Sequence, residues 1–249
     1  MCHDEAPLGH TPAVDQADID IELATGEQLP ATLFSTGDGG PGILLISDIN
    51  GPNVFYHSLA ARLATAGFTV LLPDYFFRQG PAAGPGIDSA IARRSTLDEV
   101  QTLGDLEAAL TRLATLTGTG RLGTLGFCMG GTFALDLASM RDDLVTVAYY
   151  GFPVPQASLT MPPPRPIDVV DQLRGPVLAF WGDDDKGVGI DNVRAYVDLA
   201  TGRNPQFEHE ILPGLGHAFL TRADLEDPHD PAGATWQRTL RHFAAHLAR

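Results

Sequence analysis

Gly126-Phe127-Cys128-Met129-Gly130-Gly131 is the stretch on which the fold turns. Residues 121–126, directly before it, read as a strand. Residues 129–140 follow with helical spacing. A G-x-C-x-G segment between strand and helix has the form of a nucleophile elbow, with cysteine in the place of serine. A nucleophile presented on such a bend needs strained backbone angles. Glycines two residues to either side remove side chains that would collide with the neighbouring strand and helix. The bend also puts Cys128 at a helix N-terminus, where the peptide dipoles favour a thiolate. Taken alone, the segment also fits a buried structural cysteine in a glycine-rich turn. The strand before it and the helix after it favour the nucleophile.

Outward from this point, strands and helices alternate. Residues 18–23 and 31–34, joined through Thr25-Gly26-Glu27, read as an antiparallel hairpin. Strands are expected at 42–47, 68–72, 121–126, 144–150, 176–181 and 206–212, and helices at 53–66, 96–117, 129–140, 190–200 and 236–247. Thr96 followed by Glu99 reads as a capping box for the second of these helices. The pattern predicts an α/β fold: a mainly parallel central sheet, an N-terminal antiparallel hairpin, and helices on both faces. Residues 1–16 read as a flexible arm and 17–249 as a single domain. Six prolines between Gly151 and Pro166 exclude a helix there and point to an extended loop.

The balance of 16 Lys+Arg against 31 Asp+Glu, a formal charge of −15, argues against nucleic acid or an anionic membrane as partner. Cys2 and Cys128 cannot form a disulfide framework. The N-terminus lacks the basic and apolar regions of a signal peptide, and no apolar run is long enough to span a bilayer. A cytoplasmic protein acting on a small molecule is expected, without preference between monomer and homodimer.

A thiolate needs a base or imidazolium partner, and that partner needs an acid to orient it. His217 lies in a turn after the last expected strand. Asp183, Asp184 and Asp185 follow the strand before it. In open α/β sheets the loops at the carboxyl ends of strands carry the chemistry. The order nucleophile, acid, histidine is that of the α/β-hydrolases. Spacing alone leaves the three aspartates as alternatives.

From Gly42 to Leu247 the chain resembles the dienelactone hydrolases, cysteine members of the α/β-hydrolase fold. The resemblance is carried by Pro73-Asp74-Tyr75, Gly104 to Ala109, the elbow, Ala148 to Gly151, Gly182 to Asp185 with Val188, and Gly214 to Phe219. It implies Cys128 as nucleophile, His217 as base and Asp185 as orienting acid, the register through Val188 favouring Asp185. It also implies an acid after the first core strand that contacts the resting thiol, and the matching residue is Asp48. Asp48 could equally cap the turn before Asn50-Gly51. The backbone amides of Met129 and Ile49 are the expected oxyanion hole. Two arginines bind the substrate anion in the family. Arg78 matches the first in context, with a surface salt bridge as its alternative. At the place of the second this chain has Thr221, with Arg222 one residue later.

Several other patterns do not carry chemistry. The G-x-G-x-x-G over residues 118–123 precedes a strand and does not join strand to helix. His209-Glu210 lacks the second histidine of a zincin, with Pro213 in its place. The three aspartates lack an EF-hand's later ligand. His242 and His246 have no neighbouring ligand in sequence. A cofactor-free, metal-free esterase or lactonase is therefore expected, with a thiol-dependent amidase or peptidase and a non-catalytic binding module as alternatives.

Overall fold

The computed structural model describes residues 9–37, 39–154, 164–227 and 229–247. Cys2 and the first half of the expected arm lie outside these residues, as does the middle of the proline-rich segment. The hairpin forms from β1 (Asp15–Glu22) and β2 (Gln28–Ser35). β1 starts inside the stretch read as an arm, because Asp15 pairs with Ser35 at the open end of the ladder. After it come β3 (Gly42–Ile46), α1 (Val54–Thr65), β4 (Thr69–Pro73), α2 (Ile87–Arg94) and α3 (Glu99–Thr117). The chain continues through β5 (Leu122–Phe127), α4 (Met129–Met140), β6 (Leu144–Tyr149), β7 (Val177–Gly182), α5 (Ile190–Arg203), β8 (Phe207–Leu212) and α6 (Pro231–His246).

The eight strands form one sheet in the order β1-β2-β4-β3-β5-β6-β7-β8. β1, β2 and β4 pair antiparallel, and every pair from β4 across to β8 is parallel. The central strands are buried on both faces, which is why they read as continuous apolar runs and not as alternations. Their side chains nevertheless divide by the two-residue period. Ile43, Leu45, Val70 and Leu72 pack with α1 and α6, whereas Leu44, Ile46 and Leu71 pack with α3 and much of α4. Helices therefore cover both faces, and the loops at the carboxyl ends of β3, β5, β7 and β8 gather at one end of the sheet.

Two helix starts differ from expectation. Asp98, not Thr96, caps α3: its carboxylate accepts from the amides of Val100 (3.0 Å) and Gln101 (3.1 Å), while Thr96 donates to the Arg93 carbonyl. Aspartate next to the exposed amides adds a charge that the helix dipole favours. α6 starts earlier than expected because Asp230 accepts from the Ala232 and Gly233 amides and Pro231 occupies the first turn. Sequence reading missed α2, since only Ala90 of its residues is buried. Among the described residues no helix is long and apolar enough to cross a membrane.

His242 on α6 is buried, and burial, reinforced by the neighbouring His246, holds its pKa at about 4 against an ordinary 6.5. A histidine depressed in the fold takes up protons on unfolding, so its stabilisation is full above pH ~6.5 and is lost as pH falls towards ~4. The expected loss from this group is on the order of 3 kcal/mol. Urea midpoints at neutral and acid pH should show a smaller acid-induced loss in His242→Gln than in the wild type. An equal loss in both would contradict the assignment.

Candidate active site

β5 ends at Phe127, and the chain turns at Cys128 with φ 56° and ψ −118° into the first turn of α4. A non-glycine residue at positive φ is held only where its surroundings over-determine it. Here the Cys128 amide donates to the Tyr149 carbonyl of β6 (3.0 Å), and the Cys128 carbonyl accepts from the Thr132 amide (3.1 Å). The flanking glycines are required by distance. A Cβ on Gly126 would lie 2.0 Å from the Gly130 carbonyl oxygen, and one on Gly130 would lie 2.3 Å from that of Ile46 and 2.4 Å from that of Ser47. Only without these side chains can β3, β5 and α4 close on one another.

β7 delivers the aspartates and the structure separates them. Asp184 pairs with exposed Lys186, and Asp183 accepts from the Gly214 amide in an exposed turn (2.6 Å). Asp185 is buried. Its Oδ1 accepts from the amides of Gly187 (2.9 Å) and Val188 (3.1 Å), and its Oδ2 lies 2.7 Å from Nδ1 of His217. Burial opposes ionisation of Asp185. The His217 hydrogen bond and charge, with the two amides, outweigh it and hold the carboxyl below its usual range. The His217 ring is flanked by Tyr150 (centroids 5.0 Å apart) and Phe152 (5.6 Å), which restrict its swing.

Cys128, Asp185, His217, Ile49 and Met129 all line one cavity of about 440 Å³. Cys128 is buried but faces this space. The Ile49 and Met129 amides have no hydrogen-bond acceptor among the described residues. Two unspent donors beside a cysteine can stabilise negative charge on an oxygen bound there.

Asp48 is fully buried behind this wall. Its Oδ1 accepts from the Asn50 amide (2.8 Å), the turn-capping bond weighed from sequence. Both phenols beside it bond its backbone, Tyr56 accepting from the Asp48 amide (3.0 Å) and Tyr75 donating to the Asp48 carbonyl (2.9 Å), and burial first and then the Asp48 charge hold both well above the usual phenol range.

The expected anion-binding arginines are elsewhere. Arg78 forks onto Glu27 in the β1–β2 turn (2.7–3.0 Å) and pairs with Asp105 of α3. It ties the hairpin to the sheet and does not line the cavity, so the salt-bridge alternative holds. Arg222 is exposed in the turn after His217 and is also outside the cavity lining. The cavity wall instead carries Arg94 from α2 and Arg165 from the end of the proline-rich segment. Both reach Glu99, Arg94 at 2.6 Å and Arg165 at 2.8 Å. Arg165 is buried, and its Nε and Nη2 have no acceptor among the described residues. The proline-rich segment was the sequence signal for Arg165. Arg94 had none, because α2 was not recognised.

The model of the dienelactone hydrolase family matches residues 29–247. A carboxymethylenebutenolidase of Rhodococcus opacus is 36% identical, covering 99% of this chain and 98% of its own. Carboxymethylenebutenolidase 2 of Cupriavidus pinatubonensis is 33% identical over 97% and 96%. A crystal structure from Klebsiella pneumoniae, provisionally named a dienelactone hydrolase, superposes with TM-score 0.83 at 29% identity and covers 94% of this chain and 99% of its own. The resemblance carried by the elbow and its neighbouring motifs thus extends over nearly the whole chain.

Proposed function

This chain belongs to the dienelactone hydrolase family, a hydrolase of lactone and ester bonds, and we propose that it works through a Cys128–His217–Asp185 triad and a thioester intermediate. Cys128 gives its thiol proton to His217, the thiolate sulfur adds to the substrate carbonyl carbon, and the carbonyl oxygen takes the negative charge between the Met129 and Ile49 amides. Collapse of the adduct breaks the carbon–oxygen bond of the ester, and His217 gives its proton to the departing oxygen. A water molecule then loses a proton to His217 and adds to the thioester carbon. The carbon–sulfur bond breaks and the His217 proton returns to the departing sulfur, leaving a carboxylic acid and the Cys128 thiol beside neutral His217. Asp185 holds the His217 ring by Nδ1, so that Nε2 is the nitrogen that exchanges protons. Each residue uses no group beyond this chain and water. The proposed setting is the cytoplasm, where thiols stay reduced.

The observation that carries this reading is the Asp185–His217 pair opening onto the same cavity as a cysteine at φ 56°. A slowly deacylated ester, quenched in acid during turnover, should leave one acyl group on the peptide containing Cys128. Acyl label found elsewhere, or none alongside a pre-steady-state burst, would sink the thioester route.

The substrate is a small ester or lactone bearing an acidic group, which Arg165 and Arg94 bind. Removing one charged hydrogen bond to a carboxylate costs about 1.5–3 kcal/mol. Arg94→Gln should therefore raise KM for carboxylate-bearing esters by about tenfold or more and leave neutral p-nitrophenyl esters near wild type. Equal loss on both substrate types would remove this arginine from recognition, and Arg78→Gln serves as the control with no selective effect.

A further inference from the structure

The Ile49 amide can serve as an oxyanion donor only if its peptide plane is held so that the N–H faces the cavity. The 48–49 peptide joins the Asp48 carbonyl to the Ile49 amide, and the chain has no cis peptide bond among the described residues. In a planar trans unit the C=O and N–H point in opposite directions, so whatever holds the carbonyl aims the amide. The Asp48 carbonyl accepts from the Tyr75 hydroxyl (2.9 Å) and from the Gly51 amide (3.0 Å). The single Tyr75 proton is shared between this carbonyl and that of Ser47 (2.7 Å), a three-centre bond that clamps the two carbonyls together, and Tyr75 is buried and stays protonated, because its phenol lies well above the usual range.

The far side of Ile49 is held as well. Its carbonyl accepts from Arg93 (2.7 Å), whose guanidinium lies over the Phe76 ring at 4.1 Å. Arg93 sits on α2, the helix whose Ile87, Ile91 and Arg94 form part of the cavity wall. Rotating the 48–49 peptide would break both bonds to the Asp48 carbonyl and would turn a lone pair into the space where negative charge must develop.

We propose that Tyr75 and Arg93 are positioning residues that fix the Ile49 amide as an oxyanion donor, Tyr75 by holding the preceding carbonyl and Arg93 by bracing the following one against α2. The proposal rests on the triad reading, since it needs a tetrahedral oxyanion formed at Cys128. Neither residue touches the reacting atoms. Their loss therefore acts on the transition state while ground-state binding is spared.

The test uses Tyr75→Phe, Arg93→Gln and Arg93→Lys in the full chain, with thermal melts to confirm folding. Two ligands are compared: an aryl trifluoromethyl ketone, which adds a thiol to give a tetrahedral oxyanion, and the matching secondary alcohol, which cannot. Tyr75→Phe and Arg93→Gln should each lower kcat by about tenfold with KM within about twofold. Each should weaken the ketone by about the same factor and leave the alcohol unchanged. Arg93→Lys, which can still reach the carbonyl, should recover part of the loss. Wild-type kcat and ketone affinity in either variant would overturn the pair as stated, as would equal weakening of ketone and alcohol. Turnover retained in Cys128→Ala would instead overturn the triad reading on which the proposal depends, so the two failures are separable.

Discussion

Replacing Cys128 by alanine is expected to remove hydrolysis of every ester and lactone substrate, lowering kcat by about 10⁴-fold or more. The sulfur is the only atom lost, and the two amides, the Asp185–His217 pair and the cavity remain. Binding of a substrate-shaped ligand should persist, and the residual rate should be that of bound water beside oriented donors. Stability should hardly change, because alanine keeps the Cβ that makes φ 56° unfavourable. Cys128→Gly separates strain from chemistry. It too should be inactive, yet it should melt higher, since glycine adopts positive φ without steric cost and the strain stored there is about 1 kcal/mol or more. Side-by-side assays and melts of the two variants check this. An active alanine variant would end the proposed mechanism. A glycine variant no more stable than alanine would mean that the elbow holds no usable strain.

Gly130→Ala is expected to be strongly damaging, as are alanines at the other glycines packed against backbone, because no side chain there can yield. The new Cβ would lie 2.3 Å from the Ile46 carbonyl oxygen and 2.4 Å from that of Ser47, both backbone atoms at the end of β3 with no flexible side chain to yield. Relief requires α4 to move away from the sheet, which disturbs the packing of Phe133, Ala134 and Leu137 against Leu44 and Ile46. Overpacking of this kind costs about 1–3 kcal/mol where the core can shift, and more where it cannot. A loss of at least about 3 kcal/mol in urea unfolding is therefore expected. The same displacement would carry Cys128 and the Met129 amide away from Ile49, so activity should fall further than the unfolded fraction explains. Gly104→Ala on α3, where nothing lies within 4 Å of a new Cβ, is the control and should be neutral or stabilising. A Gly130→Ala protein with wild-type stability and rate would refute the steric account of the elbow.

The elements that sequence reading located well are those whose burial is set by their own residue pattern. β3 and β7 carry continuous apolar runs because both of their faces are covered, and β5 and α4 are marked by the glycine-flanked bend between them. α2 escaped notice for the converse reason. Its Ile87 and Ile91 face a cavity and not the core, so the pattern that marks a packed helix is missing. At the start of α3 a capping box was read at Thr96, but Asp98 nearer the helix supplied the acceptor, a local competition that spacing does not resolve.

Sequence by itself determined the chemistry on offer: a cysteine on a glycine-flanked bend, followed in order by an acid and a histidine at the ends of later strands. Those facts depend on short-range sterics and on chain order, both written in consecutive residues. Spacing left three aspartates and the resemblance favoured Asp185, but only the tertiary structure sets Asp185 against His217 and decides which arginines line the cavity. Asp185 is distinguished from its two neighbours by a hydrogen bond to a residue 32 positions away. Arg78 is spent on Glu27, 51 positions distant, while Arg94 and Arg165 converge on Glu99 at the cavity wall. A long cationic side chain goes to whichever acid the fold brings within reach, and that acid is set by the packing of distant segments, not by its neighbours in the chain.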